Sequence, residues 1–454
     1  MNYDLIVIGG GPAGYVGAIR AAELGAKVAL VERAELGGTC LNWGCIPTKA
    51  LLKSAQVYHY CKSAKSFGVA VEGDVKADLK AMVARSRQVA QTTGRGVEML
   101  LKRSGVEVIA GSAELLSANE VKVGDAIYEA KNILLATGAS PREVASIPID
   151  HQFILSSRDA LILEELPETM VVVGSGAIGS EFAFLYASLG VKVTVVEYMP
   201  QFMPLLDAEV SAAAERAFRR QRVTIMTETA VKSVSVVDGK CVVEIEQKGE
   251  AKQIVADKVL SAVGIKSNIE GLNLDKVGVQ VERDKIVVNN KFQTSVASIF
   301  AVGDIIASPA LAHIASAEAI NCVECICGQN PPAIDYSLTP ACIFTTPEIA
   351  SVGITEEQAQ KQGIEYKVAR YSFASSGKAA AAGDRDGFVK LIFDAENRLR
   401  GAHIIGANVV EMLGEPSVAM AMGATAKDLA RTIHAHPSLY EGIYEAAKSI
   451  EIEK

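Results

Sequence analysis

Two stretches of this chain repeat one another, and the repeat limits what the chain folds into more than any other feature. Near the start, the apolar run Tyr3–Ile8 leads into Gly9-Gly10-Gly11-Pro12-Ala13-Gly14. The pattern predicts a helix through Ala22, closed by Gly25, then a strand Lys27–Val31 that ends at Glu32. Far downstream, Met170–Val173 leads into Gly174-Ser175-Gly176-Ala177-Ile178-Gly179. A helix is expected there to Leu189, closed by Gly190, then a strand Lys192–Val196 ending at Glu197. First glycine to helix-closing glycine is 16 residues in both copies, and first glycine to the acid is 23 in both.

Glycines alone also mark ordinary turns. In strand–turn–helix–strand context, with an acid about 20 residues on, they are a dinucleotide fingerprint. The first glycine (Gly9, Gly174) permits the tight turn, the second (Gly11, Gly176) lets backbone approach a pyrophosphate, and the third (Gly14, Gly179) lets helix pack on strand. The helix N-terminus then offers free N–H groups and a positive dipole end to the phosphates. Glu32 and Glu197 are placed to accept hydrogen bonds from a ribose diol. A 2′-phosphate is repelled by such an acid and needs arginine nearby. Tyr198-Met199-Pro200-Gln201-Phe202-Met203 contains none, so the second copy is expected to prefer NAD over NADP.

The chain has 454 residues, enough for about three domains at ~150 residues each. Its 49% hydrophobic content supports sizeable cores, and no apolar run approaches the ~18 residues of a membrane span. The opening MNYDLIVIGGG goes straight into a strand, so no signal or transit peptide is expected. A net charge of −8 argues against nucleic acid or an anionic membrane as partner. Eight cysteines are too sparse for a disulfide scaffold, and a cytoplasmic setting follows as the default.

Two of those cysteines stand in GGTCLNWGCIPTK, residues 37–49, with the only tryptophan, Trp43, between Cys40 and Cys45. A structural staple so short removes little loop entropy. Zinc needs about four ligands, typically two such pairs. The other cluster, Cys322, Cys325 and Cys327, sits in an apolar run and reads as helix-face packing, so no metal is expected. A helix Pro47–Lys53 just after the pair favours thiolate chemistry. Two dinucleotides plus a thiol pair point to an electron relay, for which a flavin is the usual store between a nicotinamide and a thiol pair.

At this point the chain resembles the pyridine nucleotide–disulfide oxidoreductases. The resemblance rests on GGGPAG, GGTCLNWGCIPTK, LLATGASP, GSGAIGSE, LSAVGIKSN, FAVGD, LAH and HAHPSLYE, in the family's order. It implies an α/β fold with two Rossmann-like domains and a C-terminal α+β dimerisation domain. The expected division is an FAD domain over 1–143, an NAD domain over 144–266, a central domain completing the FAD site over 267–335, and an interface domain over 336–454. It implies a homodimer whose active site is shared across the interface, oxidising dihydrolipoamide carried on the lipoyl domain of an acyltransferase or glycine-cleavage carrier protein and reducing NAD. Alternatives are another disulfide reductase, such as a glutathione reductase, or a flavoprotein that serves mainly as a binding subunit.

The resemblance also assigns roles. Cys40 exchanges with substrate and Cys45 lies against the flavin. Lys49 lies near the flavin's redox nitrogen and Glu181 pairs with it, although on spacing alone both are ordinary helical charges. His436 is the base, given from the partner subunit, and Glu441 orients it. Ser438 and Glu441 also read as a capping box for the helix that follows. His434 is expected to be structural. Ala113, Gly138, Asp304 and Ala312 are implied on the FAD side, Val231 and Gly264 on the NAD side. Trp43 stands where the family often has valine, Tyr440 where it often has a smaller residue, and Ile265-Lys266-Ser267-Asn268 where an arginine–proline version is common.

Overall fold

The structure, a computed structural model, describes residues 2–452. They gather into two compact units. One holds the described residues of Met1–Leu51, Asp78–Arg142 and Gly264–Ile334, and the other those of Leu52–Ala77, Glu143–Val263 and Asp335–Lys454. The seams between them lie after Leu51, Ala77, Arg142, Val263 and Ile334. Leu52–Ala77 departs from the expected division, because it gathers with the second unit rather than the first.

In the first unit, β1 (Tyr3–Ile8), α1 (Pro12–Glu23) and β2 (Val28–Glu32) form the expected crossover. Two helices then carry the cysteines: α2 (Gly38–Trp43) and α3 (Cys45–Ser63). They are followed by α4 (Leu79–Arg103) and β3 (Glu107–Ala110). The parallel sheet runs β3, β2, β1 and then strand Ala126–Leu135, with Ile299–Ala301 also paired to that last strand. Ile8 aligns with Val31 on one side and Leu135 on the other, so three strand ends meet at the first glycine. Leu5–Ile8 are all buried, as a parallel sheet covered on both faces requires.

The second unit repeats this arrangement. Its parallel sheet runs Thr224–Met226, Lys192–Val196, Thr169–Val173, Lys258–Ser261 and Ile154–Leu155. The two sheets differ in their last strand, which comes from downstream in the first unit and from upstream in the second. The same unit carries the interface module, an antiparallel sheet of Ala341–Ile343, Glu348–Gly353, Leu399–Gly406, Phe388–Asp394 and Tyr366–Ser372. Its core includes Val389, Leu391, Phe393, Ile404, Ile443 and Ala447.

One expected helix differs in extent, and a later one is broken. The helix expected over Pro47–Lys53 begins at Cys45 and runs to Ser63. Proline is tolerated throughout a first turn, whose N–H groups have no helical partner, so Pro47 does not mark the first position. In the interface module the helical stretch 409–421 is two pieces, Val409–Met412 and Gly414–Ala421. Pro416 has no N–H to give the Met412 carbonyl four residues back, and the break falls between them.

Candidate active site

The two glycine turns are built alike down to their hydrogen bonds. Gly9 has φ +106° and Gly174 φ +98°. A Cβ on Gly14 would lie 1.7 Å from the Gly9 carbonyl oxygen, and one on Gly179 would lie 2.0 Å from that of Gly174. Helix and strand therefore touch backbone to backbone. Glu32 accepts the Gly10 N–H at 2.6 Å and the Ala34 N–H at 2.8 Å, one on each carboxylate oxygen. Glu197 accepts Ser175 N–H and Met199 N–H, both at 2.8 Å, again one on each oxygen. Both acids thus bind the amides 22 residues before and two residues after themselves.

The second glycine of each turn faces open space. A Cβ on Gly11 would meet only the Gly38 Cα at 3.9 Å, and one on Gly176 would meet nothing within 4 Å. Neither helix N-cap, Gly11 or Gly176, has a side-chain cap, and neither first turn carries an acid. These are open, uncapped and unopposed N-termini of the kind that take phosphate. The residues present therefore fit the two dinucleotides.

Cys40 lies within α2 and Cys45 opens α3, with Gly44 breaking the chain between them (φ −151°, ψ −109°). Hydrogen bonding to Cys45 and burial push the Cys40 thiol well up, and the opposing pull of Lys49 is too small to reverse them. Cys45 stands at a helix N-terminus, where the free N–H groups favour a thiolate. Lys49 is one turn further along α3 and half-buried.

Asp304 sits in the short 3₁₀ turn Gly303–Ile305. Burial pushes its carboxyl above the ordinary range, against the pull of Lys285. Ala312 begins the helix Ala312–Ile326, and Ala113 begins the strand Ala113–Leu115. Gly138 has φ +67°, and its carbonyl accepts the Asn268 N–H at 2.9 Å, so the unusual Asn268 anchors this turn. Gly264 has φ +113° and lies just past the seam, in the first unit. Val231 stands at a bulge in the strand Thr229–Val237. Glu181 is buried on the helix Ala177–Ser188 and accepts the Phe344 N–H at 3.0 Å.

His436 Nδ1 donates to Glu441 Oε1 at 2.8 Å, and its side chain is 80% exposed. The other carboxylate oxygen accepts the Ser438 N–H at 2.9 Å. Ser438 uses its hydroxyl differently from a full capping box, donating to the Ala435 carbonyl at 2.6 Å. His434 is only 6% exposed and is held by Glu415 at 2.7 Å and the Thr432 carbonyl at 2.9 Å. Tyr440 donates its hydroxyl to the Glu411 carbonyl at 3.0 Å. Of the cysteine cluster, Cys322 is buried, Cys325 partly so, and Cys327 is exposed past the helix end.

Sequence reasoning missed three contributors. Glu318, fully buried, accepts the Gly303 N–H at 2.7 Å and fixes the turn of Asp304. Lys285 donates to the Asp304 carbonyl. Arg87 lies with its guanidinium carbon 4.3 Å from the Trp43 ring centroid. An acid inside the apolar helix Ala312–Ile326 was the one visible signal.

Two glycine-built nucleotide cradles with a coupled thiol pair define a flavin- and nicotinamide-dependent disulfide oxidoreductase. The chain belongs to the pyridine nucleotide-disulphide oxidoreductase family, whose pattern matches residues 3–319 and whose dimerisation-domain pattern matches 339–447. Its relatives include the dihydrolipoyl dehydrogenase of Chlorobaculum tepidum, 46% identical across 98% of this chain and 96% of the relative. That of Bacillus subtilis is 38% identical across 98% and 97%. Among solved structures, LpdA from Mycobacterium tuberculosis superposes with a TM-score of 0.92 at 28% identity, covering 98% of this chain and 99% of that one. The HOCl-induced flavoprotein disulfide reductase RclA from Escherichia coli gives 0.86, also at 28%, over the same shares of the two chains. The dimerisation domain supports a homodimer. Among the described residues no helix is long and apolar enough to cross a membrane.

Proposed function

We propose that this chain oxidises protein-bound dihydrolipoamide to lipoamide and passes the electrons to NAD. The observation that carries the reading is the hydrogen-bonded pair Cys40–Cys45 across the break between α2 and α3. FAD and NAD are the cofactors of the family. FAD, when bound, takes the electron pair from the thiols and passes it on to NAD.

The chain's own residues do the rest. The oxidised enzyme carries a Cys40–Cys45 disulfide. His436, supplied by the partner subunit, accepts the proton of one substrate thiol on Nε2, while Glu441 holds its Nδ1–H and balances the charge. The substrate thiolate attacks Cys40 Sγ, the S–S bond breaks, and Cys45 leaves as thiolate. The second substrate thiol attacks the mixed disulfide, closing lipoamide, and its proton passes to Cys40 as that sulfur leaves. Lys49 and Glu181 are proposed beside the flavin. Glu32, Gly9, Gly11, Gly14, Ala113, Gly138, Asp304 and Ala312 are proposed to hold FAD. Gly174, Gly176, Gly179, Glu197, Val231 and Gly264 are proposed to hold NAD.

The substrate carrier is proposed to be a lipoyl domain. A cytoplasmic setting accompanies it, where thiols are kept reduced. The test compares NAD reduction by dihydrolipoamide with glutathione-disulfide reduction by NADPH. Turnover only in the second assay overturns the reading.

A further inference from the structure

Trp43 has no place in the chemistry above, yet it is the only tryptophan and ends the helix that carries Cys40. α2 has six residues, far too few to hold its shape unaided. Its surroundings hold it. The Asn42 side chain donates to the Leu36 and Gly38 carbonyls, both at 3.0 Å, bracketing the start of α2. Arg87 donates to the Asn42 carbonyl and stacks its guanidinium on the Trp43 ring, 4.3 Å from the centroid. A cation there also satisfies the negative end of the helix.

Arg87 does not act alone. Its neighbours on α4 grip α3: buried Ser86 donates to the Pro47 carbonyl at 2.9 Å, and Arg85 donates to the Ala50 carbonyl at 2.9 Å. Three consecutive residues of one helix therefore hold the last turn of α2 and the first turns of α3. Those are the helices that bear the two sulfurs, and Gly44 is the only residue between them.

We propose that the Trp43–Arg87 stack is a positioning clamp that registers α2 against α3 and so sets how readily the Cys40–Cys45 disulfide is reduced. The proposal rests on the reading of this pair as the redox couple. A thiol pair closes into a disulfide in proportion to the effective concentration of one sulfur at the other. Freedom at Gly44 dilutes Cys40 with respect to Cys45, and the clamp removes that freedom. Loosening it makes the disulfide easier to reduce. Trp43 and Arg87 are positioning residues and take no part in bond making.

The test is a redox titration of the purified holoenzyme in graded dithiothreitol buffers. Dithiothreitol supplies two electrons and two protons, closes its own disulfide, and opens Cys40–Cys45. Acid quenching, maleimide tagging and mass analysis of the peptide containing residues 37–49 give the oxidised fraction. Trp43→Leu and Arg87→Gln are each expected to favour reduction by about three- to thirtyfold in the equilibrium constant, the range of a cation–π contact. Trp43→Phe keeps a ring face and is expected to stay within about twofold of wild type. The double variant is expected to match the larger single effect. A Trp43→Leu midpoint equal to wild type overturns the clamp, even if Arg87→Gln shifts through its charge. If wild type forms no Cys40–Cys45 disulfide at any ratio, the redox assignment itself falls and the clamp with it.

Discussion

Glu441 serves His436 through one oxygen and the Ser438 amide through the other. In the sequence the base-orienting and helix-capping readings competed for this residue. A carboxylate has two oxygens: one meets His436 Nδ1, and the other accepts the Ser438 amide, which is the reciprocal half of a capping box. The His436 hydrogen bond, then the Ser438 amide, holds the Glu441 carboxyl below its ordinary range. A lowered carboxylate pKa means that the pairing is complete above the unfolded value of about 4.3 and fades as pH falls through the folded one. Glu441 is thus ionised throughout the neutral range, and the acid limb of the pH–rate profile near neutrality is not its own. His436→Ala is expected to lower kcat/KM for dihydrolipoamide by about 10²- to 10⁴-fold with flavin content unchanged, read from absorbance and NADH formation. Equal losses of turnover and flavin would make the residue structural. Cys45→Ser is expected to stay yellow with FAD and to lose lipoamide turnover; retained turnover ends the dithiol relay. The thiol pair and the two turn acids, Glu32 and Glu197, stood out by residue type and spacing, whereas the roles expected of His436, Glu441, Lys49 and Glu181 came from the family resemblance. Arg87 was not, because one of several arginines in a polar helix carries no pattern of its own.

The glycine turns show what local sequence specifies well. The strand Lys192–Val196 and the strand β1 were legible to the residue, since β1 must stop where Gly9 lets the chain turn and Lys192–Val196 is bracketed by Gly190 and Glu197. The prolines misled, because a proline limits a helix without saying which of its first positions it fills. At the same scale the third glycines make a clean prediction. A methyl on Gly179 must displace the Gly174 carbonyl, 2.0 Å from its place, and cannot be absorbed by a side chain. Overpacking of this kind costs about 1–3 kcal/mol. Gly179→Ala is expected to raise the KM for NAD while leaving FAD bound, and Gly14→Ala to lower FAD content first. Swapped effects would reverse the assignment of the two cradles.

Across the second unit, one buried cation joins the helix Ala208–Arg220 to the interface sheet. Lys390 has a side chain only 2% exposed, within the otherwise apolar run Phe388–Asp394, and meets both oxygens of fully buried Asp207 at 2.9 Å and Glu356 at 2.7 Å. Burial pulls the ammonium down, but the hydrogen bonds it donates to Glu356 and Asp207 outweigh that and hold its pKa above the ordinary value. Burial likewise raises Asp207, yet the Lys390 bond and neighbouring charge leave its carboxyl below its ordinary range. The sign follows for each partner. Asp207 contributes above the unfolded value of about 3.9 and is lost as pH falls through its folded value, and Lys390 contributes until pH rises through its own. Lys390→Met strands a buried carboxylate and is expected to cost about 3–5 kcal/mol, seen as a lower Tm, with Asp207→Leu in the same chain recovering part of the loss. An unchanged Tm for Lys390→Met excludes that role. A charged residue in an apolar strand was visible in the sequence, whereas its partners, 183 residues away at Asp207, were not. The single tryptophan has a separate use. Because Trp43 stands in the sequence between Cys40 and Cys45 and has no counterpart elsewhere in the chain, all indole emission from the protein originates in the segment that carries the thiol pair, and intrinsic fluorescence is a label-free optical report from that one place.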